Sequence, residues 1–341
     1  MSLLVNWVFA VTAKLVAGWQ EWGRSVAQAR ARLDSRVIAT ASGPVEYAVT
    51  GCGPAVLVIH GCPGGYDQGL IAARLANSED FTFISPSRPG YLRTPLHVGL
   101  TPEAQADAFA ALLDSLGICK VAIVGISGGG PSALQFAIRH PNRCWGLVTV
   151  CAIARRLTDR EIAKCRSLAR RLRCTADLAL QLVRSVAGLL IGESGFLAAR
   201  ALGKQARNRE WVRRESLDLI WALARSFGMI SLRKIGLQND VEQLTTMAPY
   251  ELEQITVPAL ITHGSADDLV SFRHAKLLAK KMVNAELLKV RGAGHLFFAT
   301  HKEKVVPRVI EFLKRHANEV TGFQALNQAT CGSGKQTQAL A

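Results

Sequence analysis

Val121-Ala122-Ile123-Val124-Gly125-Ile126-Ser127-Gly128-Gly129 is the stretch on which the fold turns. Its first four residues are apolar, three of them β-branched, as in a strand buried on both faces of a parallel sheet. A serine between glycines follows at once. Beyond it, 132–139 has helical spacing and stops near Pro141. A nucleophile exposed at a sharp strand-to-helix turn sits in strained backbone, and only small residues fit two positions to either side. Gly125 and Gly129 fill those places, and the helix start aims free N–H groups at developing negative charge. The run therefore reads as G-x-S-x-G with Ser127 as candidate nucleophile. The plainer alternative is a glycine-rich helix cap.

The same strand pattern recurs outward along the chain. Segments 55–59, 81–84, 146–150 and 259–262 are short apolar runs, 45–49 reads as a strand before a glycine turn, and 286–290 is a more mixed last strand. Helical stretches alternate with them. Thr101-Pro102-Glu103 offers a hydroxyl N-cap, proline at the first helical position and a carboxylate near the positive end. Segment 302–316 closes the series and contains Pro307. This alternation predicts an α/β fold, a mostly parallel sheet with helices on both faces. The core is expected over 36–152 and 253–316. Segment 153–252 shows only helical periodicity and is basic, so it is expected to be an inserted all-helical cap. The tail 317–341 is polar and small and is expected to be disordered.

Three further loops follow predicted strands. His60-Gly61-Cys62-Pro63-Gly64-Gly65 comes after 55–59, His263-Gly264-Ser265-Ala266-Asp267 after 259–262, and Gly292-Ala293-Gly294-His295 after the last strand. With the serine motif they resemble the α/β-hydrolase family over about 36–152 and 253–316. The resemblance implies a Ser127–His295–Asp267 triad in the family's chain order, with Asp268 as the alternative acid. It implies an oxyanion hole formed by the backbone N–H groups of Cys62 and Gly128, supported by His60, Gly61, Gly125 and Gly129. No cofactor and no metal are expected. A reactive thiol is the alternative reading of Cys62. One stretch departs from the family. Its Asp-x-x-Gly-x-Gly-x-Ser loop is here Ser87-Arg88-Pro89-Gly90-Tyr91-Leu92-Arg93-Thr94, without the acid and the second glycine.

The resemblance implies a serine hydrolase, as a carboxylesterase acting on small-molecule esters with an apolar group. Lipases, aminopeptidases, carbon–carbon bond hydrolases and acyltransferases share the triad, and a non-catalytic binding protein of this fold is the reading from another class. Serine rather than aspartate as nucleophile argues against the family's epoxide hydrolases and haloalkane dehalogenases. Gly128, where proline iminopeptidases tend to carry tryptophan, argues against those enzymes.

Composition bounds the rest. The chain has 341 residues, 49% of them hydrophobic, and a formal charge of +15. That balance suits either an anionic neighbour or a soluble enzyme of a basic proteome. No nucleic-acid motif accompanies it. Arg155-Arg156 and Arg170-Arg171-Leu172-Arg173 read as solvated faces or as contacts to anionic lipid or substrate, and Trp211, Trp221 and Phe227 as cap core or pocket lining. The eight cysteines show no C-x-x-C pair and are read as reduced thiols in the cytoplasm. Residues 1–24 are expected to form an apolar helix. It is short for a membrane span and interrupted by Lys14, and it either lies in a membrane interface, packs on its own domain, or is a signal or transit segment that is removed. The oligomeric state is not legible.

Overall fold

A strand that is apolar along its whole length leaves no face for water, so both faces must be covered. In the computed structural model of the chain, which describes residues 35–76, 79–164 and 232–321, these runs assemble into one eight-stranded sheet. The strands are β1 (Arg36–Thr40), β2 (Gly43–Thr50), β3 (Ala55–Ile59), β4 (Thr82–Pro86), β5 (Val121–Ile126), β6 (Cys144–Val150), β7 (Ala259–Gly264) and β8 (Ala285–Val290). Their order is β1-β2-β4-β3-β5-β6-β7-β8. β2 runs antiparallel to β4, while the pairs from β4 through β8 are parallel. The described helices are α1 (Tyr66–Ala76), α2 (Pro102–Ser115), α3 (Gly130–Arg139), α4 (Lys234–Thr246), α5 (Arg273–Lys281), α6 (Phe297–Thr300) and α7 (Lys302–Thr321).

Alternation along the strands divides the core into two layers. Leu57, Ile123, Leu147 and Ile261 are buried with Phe109 and Leu112 of α2, Phe136 of α3 and Leu278 of α5. Their neighbours Val56, Ala122, Val148 and Leu260 are buried on the opposite face with Ala73 of α1 and Phe312 and Leu313 of α7. Each Val, Leu, Ile or Phe among them contributes about 1.5–3 kcal/mol through burial. β8 is the sheet edge, which explains its mixed composition. Its Glu286 pairs with Arg308 and Arg315 of α7 at 3.0 and 2.6 Å. Thr101 caps α2 as its hydroxyl predicts, its Oγ1 accepting the Ala104 N–H at 3.2 Å.

The order in which strands are added to the sheet reverses between β3 and β5, which run parallel. β4 lies on one side of β3 and β5 on the other, with Ile59 opposite Gly125 at their carboxyl ends. A crevice opens beyond the strand ends at such a switch, and the loops after β3, β5, β7 and β8 converge there.

Several expectations are corrected. β1, α5 and α6 are short elements that periodicity did not announce. α7 continues to Thr321, past the expected start of a disordered tail, and Ala317 is buried within it. Cys62, Cys119, Cys144 and Cys151 are free thiols, but Cys52 is disulfide-bonded. It lies in the exposed turn between β2 and β3, so the reading of all eight cysteines as reduced thiols does not hold. Among the described residues no helix is long and apolar enough to cross a membrane. The readings of residues 1–24, of Arg170, Arg171 and Arg173, and of Trp211, Trp221 and Phe227 lie outside the described residues.

Candidate active site

The serine is placed by backbone geometry. Ser127 has φ +50° in the tight turn between β5 and α3, a conformation that L-residues rarely adopt. The flanking glycines are required by close approach. A β-carbon on Gly125 would lie 2.5 Å from the Ala133 side chain, and one on Gly129 would lie 2.5 Å from the His60 carbonyl oxygen.

The Gly292-Ala293-Gly294 turn after β8 carries His295 to the serine. His295 Nε2 is 3.1 Å from Ser127 Oγ, and Nδ1 is 2.8 Å from Asp267 Oδ2. These partners fit Nδ1–H donating to the carboxylate and Nε2 accepting from the hydroxyl. Asp267 is itself fixed, its Oδ1 accepting the N–H groups of Leu269 and Val270, each at 2.9 Å. His263 Nε2 lies 3.3 Å from Asp267 Oδ2 and 2.9 Å from the Val270 carbonyl. The alternative acid, Asp268, is exposed and is not brought to the histidine.

Burial works to raise the Asp267 pKa, but the positive field of His295 and hydrogen bonds from His263, His295 and Val270 prevail, so the carboxyl titrates well below its ordinary range. For His295 burial works downward, while Cys151 and Asp267 work upward and prevail. The Cys151 thiol is 3.8 Å from His295 Nε2. Cys151, Asp267 and His295 are the one group of potential metal ligands among the described residues, and its carboxylate and ring are already bonded to each other.

Opposite the serine, Cys62 and Gly128 come together. A β-carbon on Gly128 would be 2.7 Å from Cys62 Cβ and 3.5 Å from Cys62 N, and one on Gly61 would be 3.2 Å from Ser127 Cβ. The Cys62 thiol is no candidate nucleophile, because burial and the nearby Asp240 carboxylate push its pKa up. His60 is fully buried. Its Nδ1–H donates to the Gly61 carbonyl at 2.7 Å, and its Nε2 accepts the Arg88 N–H at 2.9 Å. Burial, and then the Arg88 charge, hold its pKa down, so the ring is neutral.

The atypical loop is completed from elsewhere. Glu46 of β2 brings a carboxylate to it, accepting from the Ser87 hydroxyl at 2.8 Å and from Arg93 Nε at 2.7 Å. Leu92 stands where the family has its second glycine and keeps the glycine-like backbone, with φ +51°. Neither His263 nor Glu46 was singled out from the sequence. His263 carried a signal in its spacing of four from Asp267, whereas Glu46 lies 41 residues from Ser87 and gave none.

Above Ser127 and His295 opens a cleft lined by side chains such as Ile153, Leu157, Leu237, Val241 and Leu269. A model of the alpha/beta hydrolase family matches residues 56–308. The chain belongs to that family. Among its relatives is the hydrolase YcgS of Bacillus subtilis, 27% identical over 259 residues, which cover 75% of this chain and 89% of the relative. A putative carbamate hydrolase RutD of Caulobacter vibrioides is 27% identical over 209 residues, covering 61% of this chain and 71% of that one. An alpha/beta hydrolase fold protein from Nakamurella multipartita superposes with a TM-score of 0.66 at 33% identity, covering 83% of this chain and 99% of that one. The chain is thus an alpha/beta hydrolase.

Proposed function

We propose that this hydrolase is a serine esterase that cleaves carboxylic esters bearing an apolar group through an acyl-enzyme. In this reading Ser127 is the nucleophile, His295 the general base and Asp267 the acid that orients it. One observation carries the reading: hydroxyl, imidazole and carboxylate are hydrogen-bonded in series at 3.1 and 2.8 Å beneath an apolar cleft.

The chemistry follows from the roles. Ser127 Oγ attacks the ester carbonyl carbon while His295 Nε2 takes its proton, and the carbonyl electron pair moves onto oxygen. The N–H groups of Cys62 and Gly128 receive that oxyanion, a contribution of about 3 kcal/mol for each donor. Collapse expels the alkoxide, which leaves as alcohol with the proton from His295. Water then repeats the sequence on the acyl-enzyme, releasing the acid and restoring the serine. Asp267 holds the imidazole in the tautomer that both steps need and stabilises its charged form.

The apolar lining supports an ester with an aliphatic or aromatic group. Its described residues include no carboxylate to pair with a substrate ammonium, which speaks for neutral esters over aminopeptidase substrates. The carbamate hydrolase among the relatives makes carbamates the next class to assay. The test combines an ester panel of graded chain length with fluorophosphonate labelling. We expect turnover that varies with chain length, and a label that maps to Ser127 and is lost in Ser127→Ala. A protein that neither turns over nor labels is a non-catalytic binding protein of this fold.

A further inference from the structure

The proposed oxyanion donor Cys62 sits in a loop held partly by its own bonds and by Gln68, which donates to the Pro63 carbonyl at 2.8 Å, and partly by groups that lead to helix α4. The Gly61 carbonyl is bound by His60 Nδ1–H at 2.7 Å. In a trans peptide the C=O and the following N–H point in opposite directions, so fixing the Gly61 carbonyl fixes where the Cys62 N–H points. His60 is in turn fixed at Nε2 by the Arg88 N–H.

Arg88 is buried, and its guanidinium is held by Asp240 of α4. Nη1 donates to Oδ1 at 2.9 Å, and Nη2 donates to Oδ2 in a very short contact. Tyr91 also donates its hydroxyl to Asp240 Oδ2, and its ring packs edge-on against His60 with centroids 4.8 Å apart. The Cys62 thiol faces Tyr91 and Asp240 as well. A second tie runs beside the first. Arg233, at the start of α4, donates to the Gly64 carbonyl and to Asp67 Oδ2, the latter at 2.7 Å. The helix is also close-packed on the loop. The Gly236 N–H donates to the Gly90 carbonyl at 2.8 Å, and a β-carbon on Gly236 would lie 2.3 Å from the Tyr91 ring.

We propose that Asp240 is a positioning residue for the oxyanion hole. Through Arg88, Tyr91 and His60 it sets the orientation of the Cys62 N–H, and so ties that donor to the helix whose Leu237, Val241 and Leu244 line the substrate cleft. The helix that meets the apolar group of the substrate thus also anchors a donor for its transition state. An ion pair taken out of water holds its geometry well only while both charges and their hydrogen bonds are complete. Neutralising Asp240 removes the charge partner of Arg88 and leaves its guanidinium the weaker bond from Nη1 to Gln105 Oε1 at 3.3 Å, and the error is passed to Cys62. The donor acts on the oxyanion and hardly at all on the bound ester, so the loss falls on kcat and spares KM.

This inference rests on the esterase reading, and the test separates the two. Asp240→Asn is compared with wild type on the preferred ester, and both are titrated with a trifluoromethyl ketone carrying the same acyl chain, whose serine adduct bears an oxyanion. The expected result is a fall in kcat of about 10–100-fold, less than outright removal of a donor. KM should stay within about threefold, and the ketone should lose affinity by the same factor as kcat. Tyr91→Phe removes one bond to Asp240 and should show the same pattern at about 3–10-fold. It decides the matter if Asp240→Asn does not fold. A folded variant with kcat within twofold of wild type, or with kcat lowered but ketone affinity unchanged, overturns the positioning role alone. A wild type that neither hydrolyses esters nor forms an adduct at Ser127 overturns the esterase reading and this inference with it.

Discussion

At the scale of single residues, the site is a set of short distances that sequence spacing could not supply. Ser127→Ala should leave the fold unchanged and lower kcat by at least about 10³-fold, because nucleophile and base act as one unit. Retention of a hundredth of the activity would move the nucleophile elsewhere. Asp267 bonds the histidine while Asp268 points to solvent. Asp267→Asn should therefore cost orders of magnitude in kcat through the wrong histidine tautomer, and Asp268→Asn little. Equal effects in that pair would show that neither carboxylate orients the ring. The pH profile follows from the sign of the His295 shift. The base works only when neutral, and against burial Cys151 and Asp267 hold its pKa above the ordinary histidine value of 6.5. Activity should therefore rise with pH through a midpoint above 6.5. A midpoint in kcat/KM below that value would contradict the reading.

At the scale of elements, turn and cap chemistry was legible where it is local. The Thr101 cap and the G-x-S-x-G turn were both read from adjacent residues, since each depends on backbone within a few positions. Thr101→Ala should lower stability by about 1 kcal/mol without changing kcat, as measured by denaturant melts beside an ester assay. Gly129→Ala is a sharper probe, because its β-carbon would meet backbone oxygens of Ile59 and His60 at 2.6 and 2.5 Å. Neither carbonyl can swing aside as a side chain does. We expect a loss of about 1–3 kcal/mol together with lower kcat, as the loop after β3 is pushed off the serine turn. Unchanged melting and turnover would mean that the close packing of the two loops has no part in the site. The loop 87–94 shows the limit of local reading. It breaks the family pattern in sequence, yet a carboxylate reaches it from Glu46 of a distant strand and Leu92 keeps the backbone shape of the lost glycine.

At the scale of the whole molecule, folding sets the protonation of groups far from the chemistry. His274 on α5 is buried, and its Nδ1 accepts the Ala154 N–H at 3.0 Å. Burial first, and then the Arg155 charge, lower its pKa from 6.5 to about 4. The native state therefore excludes a proton that the unfolded chain binds below pH 6.5, so this contribution to stability is complete above 6.5 and is lost as pH falls toward 4. The loss is on the order of 3 kcal/mol at about 1.4 kcal/mol per unit. Melting temperature should drop across that window, and His274→Gln should flatten the drop; an equal slope in the variant would assign it to other groups. Below that window the depressed Asp267 adds a further loss as it protonates. The sequence by itself determined the fold class, the order of Ser127, Asp267 and His295, and the loops that carry them. Those features are written in periodicity and in motifs a few residues long, each dictated by local backbone sterics. Only the tertiary structure decided that Asp267 and not Asp268 meets the histidine, that Glu46 bonds Ser87 across 41 positions, and that Asp240 closes on Arg88 across 152 positions. Such pairs form because a charge removed from water must find its partner inside the fold, and nothing in the local chain says which partner the topology will bring.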